Sequence, residues 1–202
     1  MAEKETSTST RPGAASRVPL PAHRDLYYGG TWHAPLAGRY VELTSPGDGS
    51  SLGRAAEASA EDVEAAVAAA RKGFRVWSQV APLERAKALR RFAEILRAHA
   101  EELALIDAAD CGNPVREMIG DAQVAAMQLD FFAGLVTELK GSSIPMGPAA
   151  VNFSVREPLG VVARIIPFNH PLMFCAGKSA AALAAGNAVI VKPPEQAPLS
   201  SL

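Results

Sequence analysis

The sequence is short of several things, and each shortage removes a class of function. Its 202 residues include only two cysteines, Cys111 and Cys175, 64 positions apart. That spacing is neither a disulfide framework nor a zinc motif. Twenty basic residues stand against 21 acidic ones, for a net charge of −1, so no electrostatic footing exists for nucleic acid or an anionic membrane surface. No apolar run approaches the roughly 20 residues that span a bilayer. The opening residues lack the apolar stretch of a secretory signal. Their Ser, Thr, Pro and Arg content predicts a disordered tail over 1–24. His23, His33, His99 and His170 are not at metal-ligand spacing, and no metal site is expected. No Gly-x-Gly-x-x-Gly follows a strand-like run, and no internal repeat is present. A cytoplasmic location is the expectation these exclusions leave.

What the chain does have is helical periodicity, then strand-like runs. Ser59-Ala-Glu-Asp62 has the form of a capping box with Asp in place of Glu. After it, Val63, Val67, Ala70, Phe74 and Trp77 make one apolar stripe. Pro82 opens a second helix, with Leu89, Phe92, Leu96, Leu103 and Ile106 inward. A third runs from about Pro114 through Met118, Ala122, Ala125, Leu129, Phe132, Val136 and Leu139, and stops at Gly141. All three stripes read as core. Residues 149–157 alternate as an amphipathic strand does.

The most informative stretch begins at Glu157. Leu159 to Ile166 is almost wholly apolar and rich in β-branched residues, which predicts a strand buried on both faces. Pro167 ends it, because proline donates no ladder bond. Pro171 suits the first position of a helix, with Asn169 or His170 as its cap. Leu172 to Ala185 is made of good helix formers, and Gly186-Asn187 supplies a left-handed stop. Ala188 to Val191 forms a second strand. Strand, helix, strand is a βαβ unit with parallel strands and a right-handed crossover. Ligands of such sheets bind beyond the carboxyl ends of the strands. Phe168-Asn169 and Lys192-Pro-Pro-Glu195 fall there. Glu195 can accept hydrogen bonds from two ribose hydroxyls, and the Lys192 ammonium can reach ribose or phosphate oxygens.

Ile165-Ile166-Pro167-Phe168-Asn169, the helix with Gly177-Lys178, Ala184-Ala-Gly-Asn187 and Val191-Lys-Pro-Pro-Glu195-Gln-Ala-Pro198 together resemble the aldehyde dehydrogenase superfamily. Upstream, Gly29-Gly-Thr-Trp, Ser45-Pro-Gly-Asp-Gly and Ala58-Ser-Ala-Glu-Asp-Val fit its N-terminal pattern, so the resemblance runs from about Leu26 to Leu202. It implies an α/β fold: the N-terminal part of the aldehyde dehydrogenase fold, a helical layer plus the first βαβ unit of a Rossmann-like parallel sheet. The expected divisions are the tail, a helix-rich part over 25–140, an oligomerisation-type strand or arm over 141–158, and an incomplete βαβ unit over 159–202.

The resemblance also implies oxidation of an aldehyde to an acid with NAD, NADP being possible, through a cysteine thioester, in an enzyme that is a homo-oligomer when complete. Asn169 would be a side-chain donor of the oxyanion hole. Ile165, Ile166, Pro167 and Phe168 would line the cofactor cleft, and Lys192 and Glu195 would hold the adenosine ribose. Glu195 favours NAD⁺, since a carboxylate near the 2′ position repels the extra phosphate of NADP⁺. Pro194 departs from the small hydroxyl residue frequent at that position. The family's nucleophilic cysteine, general-base glutamate and Gly-x-Thr-x-x-Gly loop are expected beyond Leu202. Neither Cys111 nor Cys175 matches the nucleophile's surroundings, so this chain alone is expected to be inactive.

Each site residue also has a plainer reading. Asn169 can simply cap the next helix, and Lys192 with Glu195 can be a solvated pair. A non-catalytic nucleotide-binding or interaction module, pairing with a full-length relative through the strand at 149–157, is the alternative function.

Overall fold

The computed structural model describes residues 18–202. Two small antiparallel hairpins come first. In one, β1 (Leu26–Tyr28) pairs with β2 (Thr31–His33); in the other, β3 (Tyr40–Thr44) pairs with β4 (Ser51–Ala56). Four helices follow: α1 (Ala60–Trp77), α2 (Pro82–Ala98), α3 (Ala100–Cys111) and α4 (Val115–Gly134). A hairpin of β5 (Ser143–Pro145) and β6 (Val151–Phe153) leads to the βαβ unit. That unit comprises β7 (Val161–Ile165), α5 (Pro171–Ala176), a 3-10 turn at Gly177–Ser179, α6 (Ala180–Ala184) and β8 (Ala188–Lys192), with a last 3-10 turn at Leu199–Ser201. Strands β7 and β8 are parallel, with Val161 opposite Ala188 and Ile165 opposite Lys192. Among the described residues, no helix is long and apolar enough to cross a membrane.

Helix α1 starts where its capping box predicts. The Asp62 N–H donates to Ser59 Oγ at 3.3 Å, and Asp62 Oδ2 accepts from the Ser59 N–H at 2.8 Å. Asp62 also accepts from the Leu36 N–H, so one buried carboxylate ties the β2–β3 connection to the helix start. The expected stripe is only half right. Val63 lies 52% exposed, while Val67, Ala70, Phe74 and Trp77 are half-buried. Helix α1 packs against β7 and β8, and the Trp77 Nε1–H donates to the Leu183 carbonyl of α6 at 2.9 Å.

The central core joins α2, α4, α5 and α6, and it is built mostly of alanine. Ala86 and Ala93 of α2 meet Ala122, Ala125, Ala126 and Ala133 of α4, with Ala176, Ala180 and Ala184 alongside. Leu89, Leu96, Leu129 and Leu172 fill the remainder. Methyl-sized side chains let helix axes approach to the short end of the usual 8–10 Å range. A second cluster packs Leu43, Leu52, Ala55, Ile106 and Leu199 together, with Val18 and Leu20 against them. Two apolar anchors therefore hold residues 18–20 in place, against a tail over 1–24; residues 1–17 of that expectation lie outside the described residues.

Several expected boundaries shift. The second helix does not run from Pro82 to Ile106. His99 leaves helical geometry (φ −109°, ψ 16°) and separates α2 from α3. The third ends at Gly134, not Gly141, so Val136 is buried from outside the helix and Leu139 is 47% exposed. Gly141 instead sits at the base of the β5–β6 hairpin, where a Cβ would overlap the Ser154 carbonyl oxygen. Strand β7 is shorter than Leu159–Ile166, and it is not buried on both faces. Leu159 is 91% exposed and Ile165 78%, and among the described residues β7 pairs with β8 alone. The helix expected to open at Pro171 does begin there, but it tightens into the 3-10 turn at Gly177 and ends at Ala184.

The 3-10 turn packs closely on α4. A Cβ at Gly177 would lie 2.5 Å from Gln128 Oε1 and 3.1 Å from the Ala125 Cα. Only glycine lets this turn press onto α4. Gly177→Ala is expected to lower stability by about 1–3 kcal/mol, the usual cost of overpacking, measured as the shift in the urea midpoint. An unchanged midpoint would mean that α4 yields freely there.

Candidate functional site

The β-ladder carries one bond past β7, since the Ile166 N–H donates to the Lys192 carbonyl at 3.2 Å. The Ile166 side chain is buried at 4% exposure. The backbone N–H is already engaged in that bond, so Ile166 offers a ligand little surface. Ile165, Pro167, Phe168 and Asn169 are exposed, and with Lys192 they form the rim at the carboxyl ends of β7 and β8.

Asn169 does not cap α5. The cap residue is His170, and no side-chain cap bond forms. The first free N–H of that helix, on Leu172, donates instead to Asp107 Oδ2 of α3 at 3.2 Å. Asn169 is anchored through its backbone: Asn113 Nδ2 donates to its carbonyl oxygen at 2.7 Å. His170 Nδ1 lies 2.6 Å from Asp121 Oδ2 of α4, and its ring meets Phe174 edge-on at 5.9 Å. The plainer reading of Asn169 as a cap thus gives way, and among the described residues its side-chain amide makes no hydrogen bond.

Lys192 Nζ and Glu195 Oε1 stand 3.3 Å apart, with side chains 54% and 73% exposed. An ion pair this open contributes about 0–1 kcal/mol, so a ligand separates it at little cost. Pro194, between them, is buried. Exposed apolar surface on Ile165 and Phe168 and a separable Lys–Glu pair at the neighbouring strand end fit a nucleotide cofactor.

Four polar residues that bear on the site escaped the sequence reading: Asp107, Asp110, Asn113 and Asp121. Asp107 and Asp110 are buried on α3, at 0% and 3% exposure. Asp110 Oδ2 accepts from the Leu199 N–H at 2.7 Å, as Asp107 does from Leu172. Burial pushes the Asp107 carboxyl up to about 6, with the Asp121 charge adding to it and the nearby Ser200 hydroxyl and the Leu172 N–H opposing. Burial pushes Asp110 up to about 7, reinforced by Asp107 and opposed by the Leu199 N–H and Arg24. The available signal was acid at inward positions, with Asp107 beside Ile106 on the buried side of α3 and Asp121 between Met118 and Ala122. Burial also raises both thiols, Cys111 and Cys175, and nearby aspartates raise them further. Neither is in a thiolate-stabilising setting.

With this geometry in hand, the solved structures define the fold. Indole-3-acetaldehyde dehydrogenase AldA of P. syringae, in complex with NAD⁺ and IAA, superposes with a TM-score of 0.87 at 34% identity, over 92% of this chain and 38% of that one. The architecture is the N-terminal part of the aldehyde dehydrogenase fold. The aldehyde dehydrogenase family matches residues 32–202, and the chain belongs to that family. Aldehyde dehydrogenase tropH of Talaromyces stipitatus is 48% identical over 187 residues, covering 91% of this chain and 36% of its own length. The fluoroacetaldehyde dehydrogenase of Streptantibioticus cattleyicolor is 39% identical over 193 residues, covering 95% and 38%. The chain therefore spans a little over a third of the length of the curated relatives it matches.

Proposed function

We propose that this chain is the N-terminal part of an NAD(P)⁺-dependent aldehyde dehydrogenase, which oxidises an aldehyde to a carboxylic acid through a cysteine thioester. Neither Cys111 nor Cys175 is that cysteine, and the chain alone is inactive. The observation that carries the reading is the unengaged Asn169 amide at one strand end, with the separable Lys192–Glu195 pair at the next. Asn169 donates to the oxygen of the reacting carbonyl as negative charge grows on it. Lys192 and Glu195 hold the adenosine ribose. Ile165 and Phe168 line the cleft by side chain, Ile166 and Pro167 by backbone. NAD⁺, when bound, accepts the hydride. A carboxylate at Glu195 favours it over NADP⁺ by charge repulsion, while the 73% exposure of that side chain leaves room for NADP⁺ to bind. The complete enzyme acts in the cytoplasm on a small-molecule aldehyde, as a homo-oligomer.

The test is cofactor binding. In the complete dehydrogenase carrying this sequence, Glu195→Ala is expected to raise the Kd for NAD⁺ about tenfold, the equivalent of one charge-assisted hydrogen bond. It also narrows the preference over NADP⁺. A fluorescence titration with NADH and NADPH reads both. Unchanged affinity for the two would remove Glu195 from the cofactor site.

A second reading, the non-catalytic module that pairs with a full-length relative, draws support from the β5–β6 hairpin. Val151, Phe153 and Val155 are 84%, 66% and 68% exposed, and an apolar strand edge of this kind invites pairing. Saturable NAD⁺ binding by the 202-residue chain alone would favour it.

A further inference from the structure

The residues from 169 to 172 are fastened at three points by side chains from outside the βαβ unit. Asn113, in the α3–α4 turn, donates to the Asn169 carbonyl at 2.7 Å. Asp121 on α4 holds the His170 ring at 2.6 Å. Asp107 on α3 accepts the Leu172 N–H at 3.2 Å. All three partners lie 49 to 65 residues away in sequence. Without them this turn has Pro167 and Pro171 to limit its torsions and the Phe174 N–H on the His170 carbonyl, but among the described residues no bond from within the βαβ unit reaches the Asn169 carbonyl.

An unengaged side-chain amide is useful to catalysis only if its backbone is fixed. A donor misplaced by about 1 Å can cost about 10²-fold in rate, and a site left to a loop lacks the supporting shell that holds such geometry. We propose that Asn113 is a positioning residue for Asn169, holding the 169–170 peptide so that the Asn169 amide keeps the direction of an oxyanion donor, with the Asp121–His170 pair as the second anchor. The inference rests on the reading of Asn169 given above. Asn113 Nδ2 also lies 3.9 Å from Met118 Sδ, a weak contact that places the amide against α4 without competing for its strong bond.

The experiment is a double-mutant cycle in the complete dehydrogenase. Asn113→Asp keeps the shape and removes the donor; Asn113→Gln keeps a donor. Asn113→Asp is expected to lower kcat about tenfold with the KM for aldehyde and the Kd for NAD⁺ unchanged, and Asn113→Gln to recover part of the loss. Added to Asn169→Ala, Asn113→Asp should cost nothing further, because it acts only through Asn169. A loss that adds fully to that of Asn169→Ala would overturn the proposal. So would an Asn113→Asp enzyme with unaltered kcat, leaving the oxyanion role of Asn169 intact if Asn169→Ala is still slow. A harmless Asn169→Ala would instead overturn the oxyanion role, and the positioning role with it. If the variant enzyme fails to accumulate, hydrogen exchange on the 202-residue chain decides. Faster exchange over 168–172 with α4 still protected supports the clamp, and unchanged exchange refutes it.

Discussion

Asn169→Ala in the complete dehydrogenase is expected to lower kcat by about 10²–10³, or roughly 3–4 kcal/mol in barrier, the loss typical of one oxyanion-hole donor. The size follows from where the amide stands. It caps no helix, so it has no structural duty that its removal would disturb. A helix cap would behave in the opposite way, costing about 1 kcal/mol of stability and little rate. Steady-state kinetics and a thermal melt on the same protein separate the two. The expected result is a large fall in kcat, a modest change in KM and a Tm within about a degree of the parent. A lowered Tm with near-normal kcat would return Asn169 to the role of a cap.

The second large effect concerns pH. Asp110 ordinarily titrates at 3.8 and is pushed by burial up to about 7; Asp107 moves in the same direction, to about 6. Between the ordinary value and the raised one, the folded chain holds protons that the unfolded chain has released. Stability contributed by these groups is therefore full below about pH 4 and declines as pH rises toward 7, by up to about 1.4 kcal/mol per pH unit for each group. Asp110→Asn keeps an oxygen to accept the Leu199 N–H and removes the buried charge. Its urea midpoint at pH 8 should exceed the parent's by the equivalent of about 2–4 kcal/mol, and the two should converge near pH 4. Parallel curves for parent and variant would show that Asp110 is not the group that titrates.

Much of this was legible before any coordinates. The βαβ unit announces itself because its signals agree: a β-branched run, proline at the strand end, and Gly186 at φ +91° closing the helix. Asn169, Lys192 and Glu195 lie at or just past the strand ends, as expected, because those ends follow from the strands. The buried acids were not legible, since a single aspartate on a helix is ordinarily solvated and only the fold reveals that Leu172 and Leu199 bring their N–H groups to it. Asn113 was hidden for a related reason: its partner is a backbone carbonyl 56 residues away, which leaves no trace in side-chain pattern. The break at His99 involves neither proline nor glycine, and Gly141 imitated a helix stop while serving a close approach of two backbones.

The alanine-built core of α2, α4, α5 and α6 also sets how this chain tolerates change. Where leucines line an interior, most random substitutions remove atoms and leave holes. Here there is little to remove, since a methyl is already the smallest side chain beyond glycine, and nearly every accessible change adds bulk to helices in contact. Drift at Ala93, Ala122, Ala126 or Ala180, each 0% exposed, is confined on the large side. The same positions leave the two halves of the layer no slack to shift against each other, so variation is steered to the outer faces and the hairpins.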